Sequence, residues 1–461
     1  MKMDLDDQFV ELNNAFTSWL TGSPSNVILN PKIGLTDLRA SSAGRGVVAT
    51  APLDEDETIF SVPRSSVLSV ENSELHQKLG EELTSLDPWL ALILVLIYET
   101  RPSSPWRPYI DVLPASFNTL MYWTNDELAE LQASAVVAKI GKQDADELFR
   151  DKLWPIVKKH AGMFSHTIIA PGLAIDAIDS LLDAAHRMGS IIMSYSFDLE
   201  VVGERKSPDE DSDSDDEEEE GKFYKGMVPM ADMLNADADR NNCRLFQTPT
   251  VLEMRTTRAV PAGDELFNDY GPLPRSDLLR RYGYITPNYA QYDVAEVSSG
   301  LIVGIAGKAL DGSDKTERID YLLDEDILDD AFDIGTDLEI PEEILAVIAN
   351  FLLTKGEFSV FKGKGKVAKP KKTPEVAKVL EEILEKRLGE YGTTIEDDEY
   401  ILRDESTQGR KRIAIEVRLG EKKILKGALE KVRGWALVES AKRTHSSQVE
   451  DERGEKRVKA R

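Results

Sequence analysis

Apolar positions along the first part of the chain change their spacing several times. Residues 5–20 repeat apolar side chains at helical spacing, which predicts an amphipathic N-terminal helix. Residues 44–68 contain two apolar, β-branched runs around an acidic turn, which predicts a hairpin. Helical spacing then returns over a long block. It predicts helices at 88–99, 125–139, 143–160 and 174–195.

Alternation typical of β-strands resumes after residue 226. Two distant segments of β character resemble each other: residues 49–60 read ATAPLDEDETIF and residues 257–267 read TRAVPAGDELF. Each contains a strand end, a proline with glycine or acidic residues, and a short strand. This similarity predicts a fold of short hairpins assembled from distant parts of the chain. The helical block between them would then be an insertion into a β-rich domain.

The chain beyond residue 296 has helical spacing again. Amphipathic helices rich in charge pairs are predicted at 340–353, 373–391 and 421–443. The stretch 362–372, rich in lysine and glycine, is predicted to be a loop. The whole pattern indicates an α+β protein with a helical C-terminal region. A purely helical scaffold is an alternative, but it leaves residues 226–284 unexplained.

Charge indicates what kind of partner the protein binds. The 461 residues carry a net charge of −27, and ten acidic residues lie within 209–220. Such an acidic chain favours a basic protein partner over direct nucleic-acid binding. Residues 203–222 contain no apolar side chain, so an exposed, disordered loop is predicted there. Ser212 and Ser214 in this loop are candidate phosphorylation sites, because acidic residues follow them.

Cysteine and histidine content excludes several classes of protein. The single cysteine, Cys243, cannot form a disulfide framework or a cysteine–zinc cluster within the chain. The five histidines form no recognisable metal-binding pair. The longest apolar run, residues 89–98, is about half of a membrane span. The N-terminus is polar and acidic, so we expect no signal peptide, and an intracellular protein without metal or membrane anchor.

The stretch 263–284, GDELFNDYGPLPRSDLLRRYGY, is the candidate for chemistry. It contains no cysteine or histidine, and no serine placed as a nucleophile. Tyr270 is predicted to end a strand, 271–274 to turn the chain, and a short helix to return Tyr282 over Tyr270.

This stretch and several other motifs together resemble those of a known protein family. Together with AGRGVVA (43–49), SPWRPYIDVLP (104–114) and MVPMADMLNADADRNN (227–242), it resembles the SET-domain protein-lysine methyltransferases. The similarity is greatest to the class of the plant Rubisco large-subunit lysine methyltransferase. MSYSF (193–197), the acidic loop, and LNAD in place of Leu-Asn-His resemble the fungal ribosomal lysine methyltransferase 4 group, which is related to human SET-domain-containing protein 6.

The resemblance implies a fold, a cofactor and a substrate. The fold would be α+β, with a SET domain of short twisted sheets and a pseudoknot. A helical insertion would split this domain, and an all-helical substrate-binding domain would follow it. S-adenosylmethionine would be the methyl donor, and a lysine of a 60S ribosomal protein, monomethylated, would be the product. The implied domains are 1–75, 76–200, 201–222, 223–295 and 296–461.

The resemblance also assigns the site residues. Tyr270 is expected to be catalytic. Cofactor-binding residues are expected at Ala43, Gly44, Arg45, Tyr195, Asn235, Ala236 and Tyr282, and substrate-binding residues at Trp106, Ser196 and Asp198. Ala236 replaces a family histidine, and Tyr195 replaces an arginine that pairs with the cofactor carboxylate in the plant enzymes. A buried core tryptophan is an equally good interpretation of Trp106.

Other substrates and a non-enzymatic function stay open. The acceptor could be a lysine of a chromatin or transcription-factor protein, or a histidine. The fold could also be an inactive module that binds basic peptides, because two positions depart from the family pattern. We expect a monomer in the nucleus and cytoplasm, since the basic stretches 362–372 and 453–461 are similar to nuclear signals.

Overall fold

The computed structural model describes residues 5–41, 43–168, 177–202 and 223–458. The acidic loop predicted at 203–222, with Ser212 and Ser214, lies outside the described residues. The chain divides into two compact units. The first contains residues 1–122, 141–272 and 281–283, and the second contains residues 123–140, 273–280 and 284–461. The domain boundaries implied by the family resemblance stay predictions.

Strands of two to six residues form the sheets. The described strands are β1 (Ile28–Leu29), β2 (Ile33–Asp37), β3 (Arg45–Ala49), β4 (Thr58–Pro63), β5 (Ser196–Glu200), β6 (Phe223–Met227), β7 (Asn235–Ala236), β8 (Cys243–Gln247), β9 (Val251–Thr256), β10 (Glu265–Asn268), β11 (Val294–Ser298) and β12 (Ala331–Gly335).

Helices make up most of the remainder. The described α-helices are α1 (Leu5–Thr21), α2 (Glu74–Leu79), α3 (Glu81–Thr84), α4 (Pro88–Glu99), α5 (Arg107–Ile110), α6 (Asn125–Ala129), α7 (Lys142–Leu148), α8 (Trp154–Lys159), α9 (Ala161–Ile168), α10 (Ala177–Tyr195), α11 (Arg275–Tyr282), α12 (Ser299–Ala306), α13 (Gly312–Asp324), α14 (Glu342–Leu352), α15 (Lys355–Lys362), α16 (Pro374–Leu388), α17 (Ile395–Leu402) and α18 (Gly409–Val458).

Two four-stranded sheets and one strand pair form the β part of the first unit. The strand orders are β1-β4-β9-β8 and β2-β3-β10-β7, and β5 pairs with β6. The pairing of β7 with β10 is parallel, whereas the other pairings are antiparallel. Buried side chains such as Phe60, Leu252 and Leu266 line one hydrophobic core. Their alternation with polar residues explains why these short segments form half-buried strands.

The hairpin predicted at residues 44–68 is wrong. β3 and β4 form where the sequence predicts strands, but they do not pair with each other. β3 pairs with β2 and β10, whereas β4 pairs with β1 and β9. The segment 50–57 therefore crosses from one sheet to the other. The alternation of apolar residues determines which face a strand buries, but it does not identify the neighbouring strand.

The two similar segments of the sequence are both crossings between these sheets. The chain from β9 to β10 changes sheet in the same way as the chain from β3 to β4. The two crossings lie side by side, because Leu53 and Val260 each donate a backbone N–H to the other's carbonyl at 2.9 Å. Strands from distant parts of the chain are thus adjacent, as predicted. They do not form hairpins, because β3 pairs with β10 and β4 pairs with β9.

The helical block of the first unit is centred on α4 and α10. Leu90 to Glu99 of α4 are all buried, so this apolar run is a core helix. The helix predicted at 143–160 is interrupted by a π-helical segment at Phe149–Leu153. Pro155 follows this segment and has no N–H to donate one turn back, which accounts for the irregular turn. Two helices therefore replace the single predicted one.

The helix predicted at 125–139 is also shorter than expected. α6 ends at Ala129, and Gln132 has a positive φ of 52°, which an α-helix does not accommodate. A 3₁₀-helix follows at Ala135–Lys139. This part of the chain belongs to the second unit and not to the helical block around it.

The second unit is helical, as predicted. A hydrophobic core between α12, α14, α16 and α18 includes Ile302, Ile348, Leu380 and Leu425. β11 and β12 add a two-stranded antiparallel sheet that the sequence analysis did not predict. Each of these strands has five residues and adjoins long stretches of helical spacing, which dominate the pattern in this part of the chain.

Candidate active site

Tyr270 and Tyr282 face each other in the first unit. Their ring centroids are 4.2 Å apart and their planes differ by 12°, so the predicted stacking is confirmed. Tyr270 follows β10, and Gly271 turns the chain with a φ of 79°, a conformation that favours glycine. Burial raises the pKa of Tyr282, so its hydroxyl stays protonated at neutral pH.

A cavity of about 210 Å³ opens beside the stacked pair. Tyr195, Tyr270 and Tyr282 line it, together with the carboxylates of Asp198 and Asp232. Burial raises the pKa of Tyr195 to about 12, and the charge of Asp232 acts in the same direction. The volume is below the roughly 300–1,000 Å³ typical of pockets for drug-sized ligands. The cavity therefore suits a narrow group, such as the end of one extended side chain.

A wider cleft of about 710 Å³ adjoins this cavity. Phe197, Asp198 and Tyr270 line both spaces, so Tyr270 lies where they meet. Cys243, Arg244 and Leu245 of β8 line the cleft as well, and β8 is the edge strand of its sheet. An unpaired strand edge beside a cleft is the kind of surface on which an extended peptide binds.

Asn235 fixes the loop that precedes β3. Its side-chain amide donates to the carbonyl oxygens of Ala43 at 3.3 Å and Arg45 at 3.0 Å, and to Glu265 Oε1 at 2.7 Å. A side chain at Gly46 would place Cβ 2.4 Å from Leu38 Cδ1 and 2.7 Å from Glu265 Oε1. The side-chain amide of Asn235 therefore connects two other predicted site residues, Ala43 and Arg45, through hydrogen bonds. Gly46 allows this close packing because it has no side chain.

Asp232 is a site residue that the sequence analysis missed. It is 7% exposed, lines the small cavity, and accepts a hydrogen bond from the hydroxyl of Tyr109. Burial raises the pKa of Asp232 to about 7, while the hydrogen bond from Tyr109 opposes that shift. Its second oxygen, Oδ1, makes no hydrogen bond of ordinary geometry among the described residues, although the backbone N–H groups of Met230 and Asp232 also act to lower the pKa of this carboxyl. A carboxylate within the apolar run MVPMADML is the sequence signal that could have found it.

Comparison with known families explains this arrangement. The family model of the SET domain matches residues 44–271, and that of the Rubisco LSMT substrate-binding region matches residues 316–425. The chain thus contains a SET domain, matched over residues 44–271. The SET match contains Tyr270 and Asn235, and it begins at Gly44 in the loop that Asn235 fixes.

Two relatives have been named as lysine methyltransferases. Ribosomal lysine N-methyltransferase 4 of Saccharomyces cerevisiae is 35% identical over 328 residues, which are 69% of this chain and 64% of that protein. The alignment thus spans less than two thirds of the yeast protein. N-lysine methyltransferase SETD6 of Rattus norvegicus is 27% identical over 440 residues, which are 87% of each chain.

Solved structures confirm the fold. The SET domain of LSMT bound to lysine and AdoHcy superimposes with a TM-score of 0.69 and 20% identity, over 94% of this chain and 93% of that one. Rubisco LSMT bound to AdoMet gives a TM-score of 0.67 and 20% identity, over 92% of each chain. The α+β SET fold predicted from the sequence is therefore correct.

Ala236 of the SET domain contributes through its backbone. It pairs with Asn268 in the parallel ladder between β7 and β10, two residues before Tyr270. A ladder position uses the backbone N–H and C=O and does not depend on the side chain. Alanine in place of the family histidine is therefore compatible with the local structure.

Trp106 of the SET domain lies apart from both spaces. It is 9% exposed, its ring centroid is 5.7 Å from that of Trp19, and it lines neither the cavity nor the cleft. Ser196 and Asp198 line the cavity, and Asp198 forms an ion pair with Lys225 at 2.7 Å. The structure thus brings two of the three predicted substrate residues to the site, and their roles stay predictions.

The described residues contain no arrangement typical of a metal site or of a membrane-spanning helix. Within the described ranges, no group of three His, Cys, Asp or Glu side chains is arranged to hold a metal ion. No helix among the described residues is long and apolar enough to cross a membrane.

Proposed function

We propose that this protein is a protein-lysine N-methyltransferase that uses S-adenosylmethionine. The observation that carries the proposal is the stacked pair of Tyr270 and Tyr282 at the junction of a narrow cavity and a wide cleft. The cavity would take a lysine side chain and the cleft the polypeptide that bears it. The lysine methyltransferases among the relatives support the same activity.

The residues around the cavity fit this cofactor. The buried oxygen Oδ1 of Asp232 is an acceptor that makes no hydrogen bond of ordinary geometry among the described residues, and it suits a ligand with cationic groups. Gly44 has a φ of 67°, and no atom lies within 4 Å of the position of a Cβ, so the loop surface is accessible there. When bound, S-adenosylmethionine supplies an electrophilic methyl group on a sulfonium. Ala43, Gly44, Arg45, Asn235, Ala236, Tyr195 and Tyr282 would hold it.

The chain's own residues prepare the amine for transfer. Tyr195, Tyr270 and Tyr282 line the cavity, so a lysine side chain inserted between them would lose water, and desolvation favours the neutral, nucleophilic form of its amine. Hydroxyls of tyrosines that stay protonated can orient the amine lone pair towards the methyl group. Holding both reactants in line replaces an encounter in solution, and such positioning accounts for much of the rate in reactions of this type.

We further propose that the substrate is a lysine of a 60S ribosomal protein and that the product is monomethylated. The yeast relative carries "ribosomal" in its name, and a net charge of −27 favours a basic target. A monomer located in the nucleus and cytoplasm completes the proposal. Fluorescence microscopy of the tagged protein tests the location.

Transfer of radiolabelled methyl groups tests the activity and the substrate separately. The purified protein is incubated with labelled S-adenosylmethionine and purified large-subunit proteins, with Tyr270→Phe as the inactive control. One labelled ribosomal protein, with monomethyllysine found by mass spectrometry, is expected. Label only on chromatin proteins or transcription factors would contradict the ribosomal substrate and would show that the enzyme acts on that class of protein instead. Label on no protein, with wild-type binding of the cofactor, would favour a binding module.

A further inference from the structure

The guanidinium of Arg45 is held in place by the N-terminal helix. Its Nε donates to Asn13 Oδ1 at 2.7 Å, and its Nη1 donates to the carbonyl oxygen of Val112 at 2.7 Å. The guanidinium carbon lies 4.4 Å from the centroid of the Phe9 ring, a cation–π distance. Asn13 and Phe9 both belong to α1, so this helix fixes a charged group beside the loop that Asn235 holds.

This guanidinium forms no hydrogen bond or ion pair with a carboxylate among the described residues; Asp37, opposite Arg45 on β2, pairs instead with Arg39. The contacts of Arg45 use two of its five N–H donors, and its acceptors are an amide oxygen and a carbonyl oxygen. Arg39 provides a contrast, because it contacts the same Phe9 ring at 4.4 Å but pairs with Asp37 at 2.6 Å. A half-buried cation that lacks a carboxylate is costly unless an anion approaches it.

The electrostatics of the cavity define what that anion would be. Asp198, Asp232 and Asp269 line the cavity, so a ligand carboxylate placed there would be repelled. The charge of Arg45 also acts on Tyr195, because it lowers the pKa of that tyrosine against the effects of burial and Asp232. The amino-acid end of S-adenosylmethionine carries both a carboxylate and an ammonium group, and only the carboxylate needs a cation.

We propose that the side chain of Arg45 binds the carboxylate of the cofactor, and that Asn13 and Phe9 position it for this task. This inference rests on the proposed function. It assigns to the first helix a role in cofactor binding and supplies the positive charge that a tyrosine at position 195 lacks. The free N–H donors of a fixed guanidinium match two oxygens of a carboxylate better than those of a mobile side chain.

Arg281 is the competing cation. It lines the cavity, and its guanidinium carbon lies 5.8 Å from the ring centroid of Tyr282. No hydrogen bond to the described residues fixes that guanidinium, whereas Arg45 is fixed by two hydrogen bonds and a ring. Preorganisation therefore favours Arg45.

Calorimetry with two ligands measures how much the carboxylate of the cofactor contributes to binding. The full-length protein is titrated with S-adenosylhomocysteine and with its decarboxylated analogue, which keeps the ammonium group. Arg45→Met retains an unbranched side chain over Phe9 and should weaken binding of S-adenosylhomocysteine by about tenfold or more, since a hydrogen bond to a charged group is lost. Binding of the analogue should change less than twofold. Asn13→Ala should show the same selectivity with a smaller loss.

Matched variants complete the experiment. Arg255→Met removes a guanidinium on β9 that pairs with Glu253 at 2.6 Å, and it should leave both affinities unchanged. An equal loss for both ligands in Arg45→Met would overturn the inference, because it would show a structural effect. A selective loss in Arg281→Met with none in Arg45→Met would assign the role to Arg281. Wild-type protein that binds neither ligand would overturn the proposed function itself.

Discussion

The ring of Tyr282 covers the ring of Tyr270 at a centroid distance of 4.2 Å, although twelve residues separate the two in the chain. A turn at Gly271 and the short helix α11 produce this contact. Both residues line a cavity that Tyr195 also lines. Each of the following predictions tests what such an arrangement does.

Substitution of Tyr270 by phenylalanine should nearly abolish methyl transfer. Only one hydroxyl is removed, so the ring stack and the core should persist, while a preorganised polar contact to the transition state is lost. Such losses reduce the rate by roughly 10²–10³-fold. Initial rates with labelled S-adenosylmethionine measure the effect, and thermal unfolding checks the fold. Tyr224→Phe, on β6, is the matched control. A rate close to wild type in Tyr270→Phe would contradict the catalytic assignment.

Substitution of Asp232 by asparagine should flatten the pH dependence of stability. The carboxyl titrates near 3.8 in the unfolded chain, and burial raises its pKa to about 7 in the folded protein. Between those values the folded state binds the extra proton, so the free energy of unfolding falls as pH rises through this window. Asp232→Asn removes that contribution, and the Tyr109 hydroxyl can still donate to the amide oxygen.

Thermal midpoints between pH 5 and pH 8 measure this slope. Asp183→Asn, at an exposed position of α10, should keep the wild-type slope. A residual slope is expected from Glu421 in the second unit, because burial also raises its pKa to about 7. Identical slopes for Asp232→Asn and wild type would show that the carboxyl is not held protonated in the fold.

Trp106 should behave as a core residue. It is 9% exposed and packs near Trp19, whose indole N–H donates to the Pro105 carbonyl at 2.8 Å. Trp106→Ala should lower the free energy of unfolding by roughly 3–5 kcal/mol, as other large-to-small core substitutions do. Trp106→Phe should keep KM for the protein substrate within about twofold of wild type. A large rise in KM with unchanged stability would instead support the substrate-channel role.

A buried ionic cluster should stabilise the second unit only as a whole. Asp398 is fully buried and accepts from Arg418 Nη2 at 2.7 Å, and Lys422 is its second cationic partner. Asp398→Ala leaves two buried cations without their carboxylate and should cost about 3–5 kcal/mol in the free energy of unfolding. Urea denaturation measures the loss. Glu399→Ala, which breaks the exposed pair with Lys423, should cost at most about 1 kcal/mol.

Sequence reasoning predicted the contact between Tyr270 and Tyr282 better than the packing of the strands. The spacing of Tyr270 and Tyr282 predicted their contact, because a strand, a glycine turn and a short helix have nearly fixed lengths. The pairing of β3 and β4 was predicted wrongly, since one partner of each strand is a segment about two hundred residues away. Asp232 was missed because its importance depends on the burial that Tyr109 and the cavity impose.

The sequence by itself determined the element types, the acidic character and the motifs of the SET family. These properties are local: apolar spacing, turn residues and composition act over a few residues. Only the tertiary structure decided which strands pair on either side of the crossings at Leu53 and Val260. It also decided which arginines form an ion pair with a carboxylate. Arg39 and Arg45 are both arginines beside Phe9, and the sequence does not distinguish them. They differ because Asp37 forms an ion pair with Arg39, whereas the guanidinium of Arg45 donates to neutral oxygens, and such contacts exist only in the folded chain.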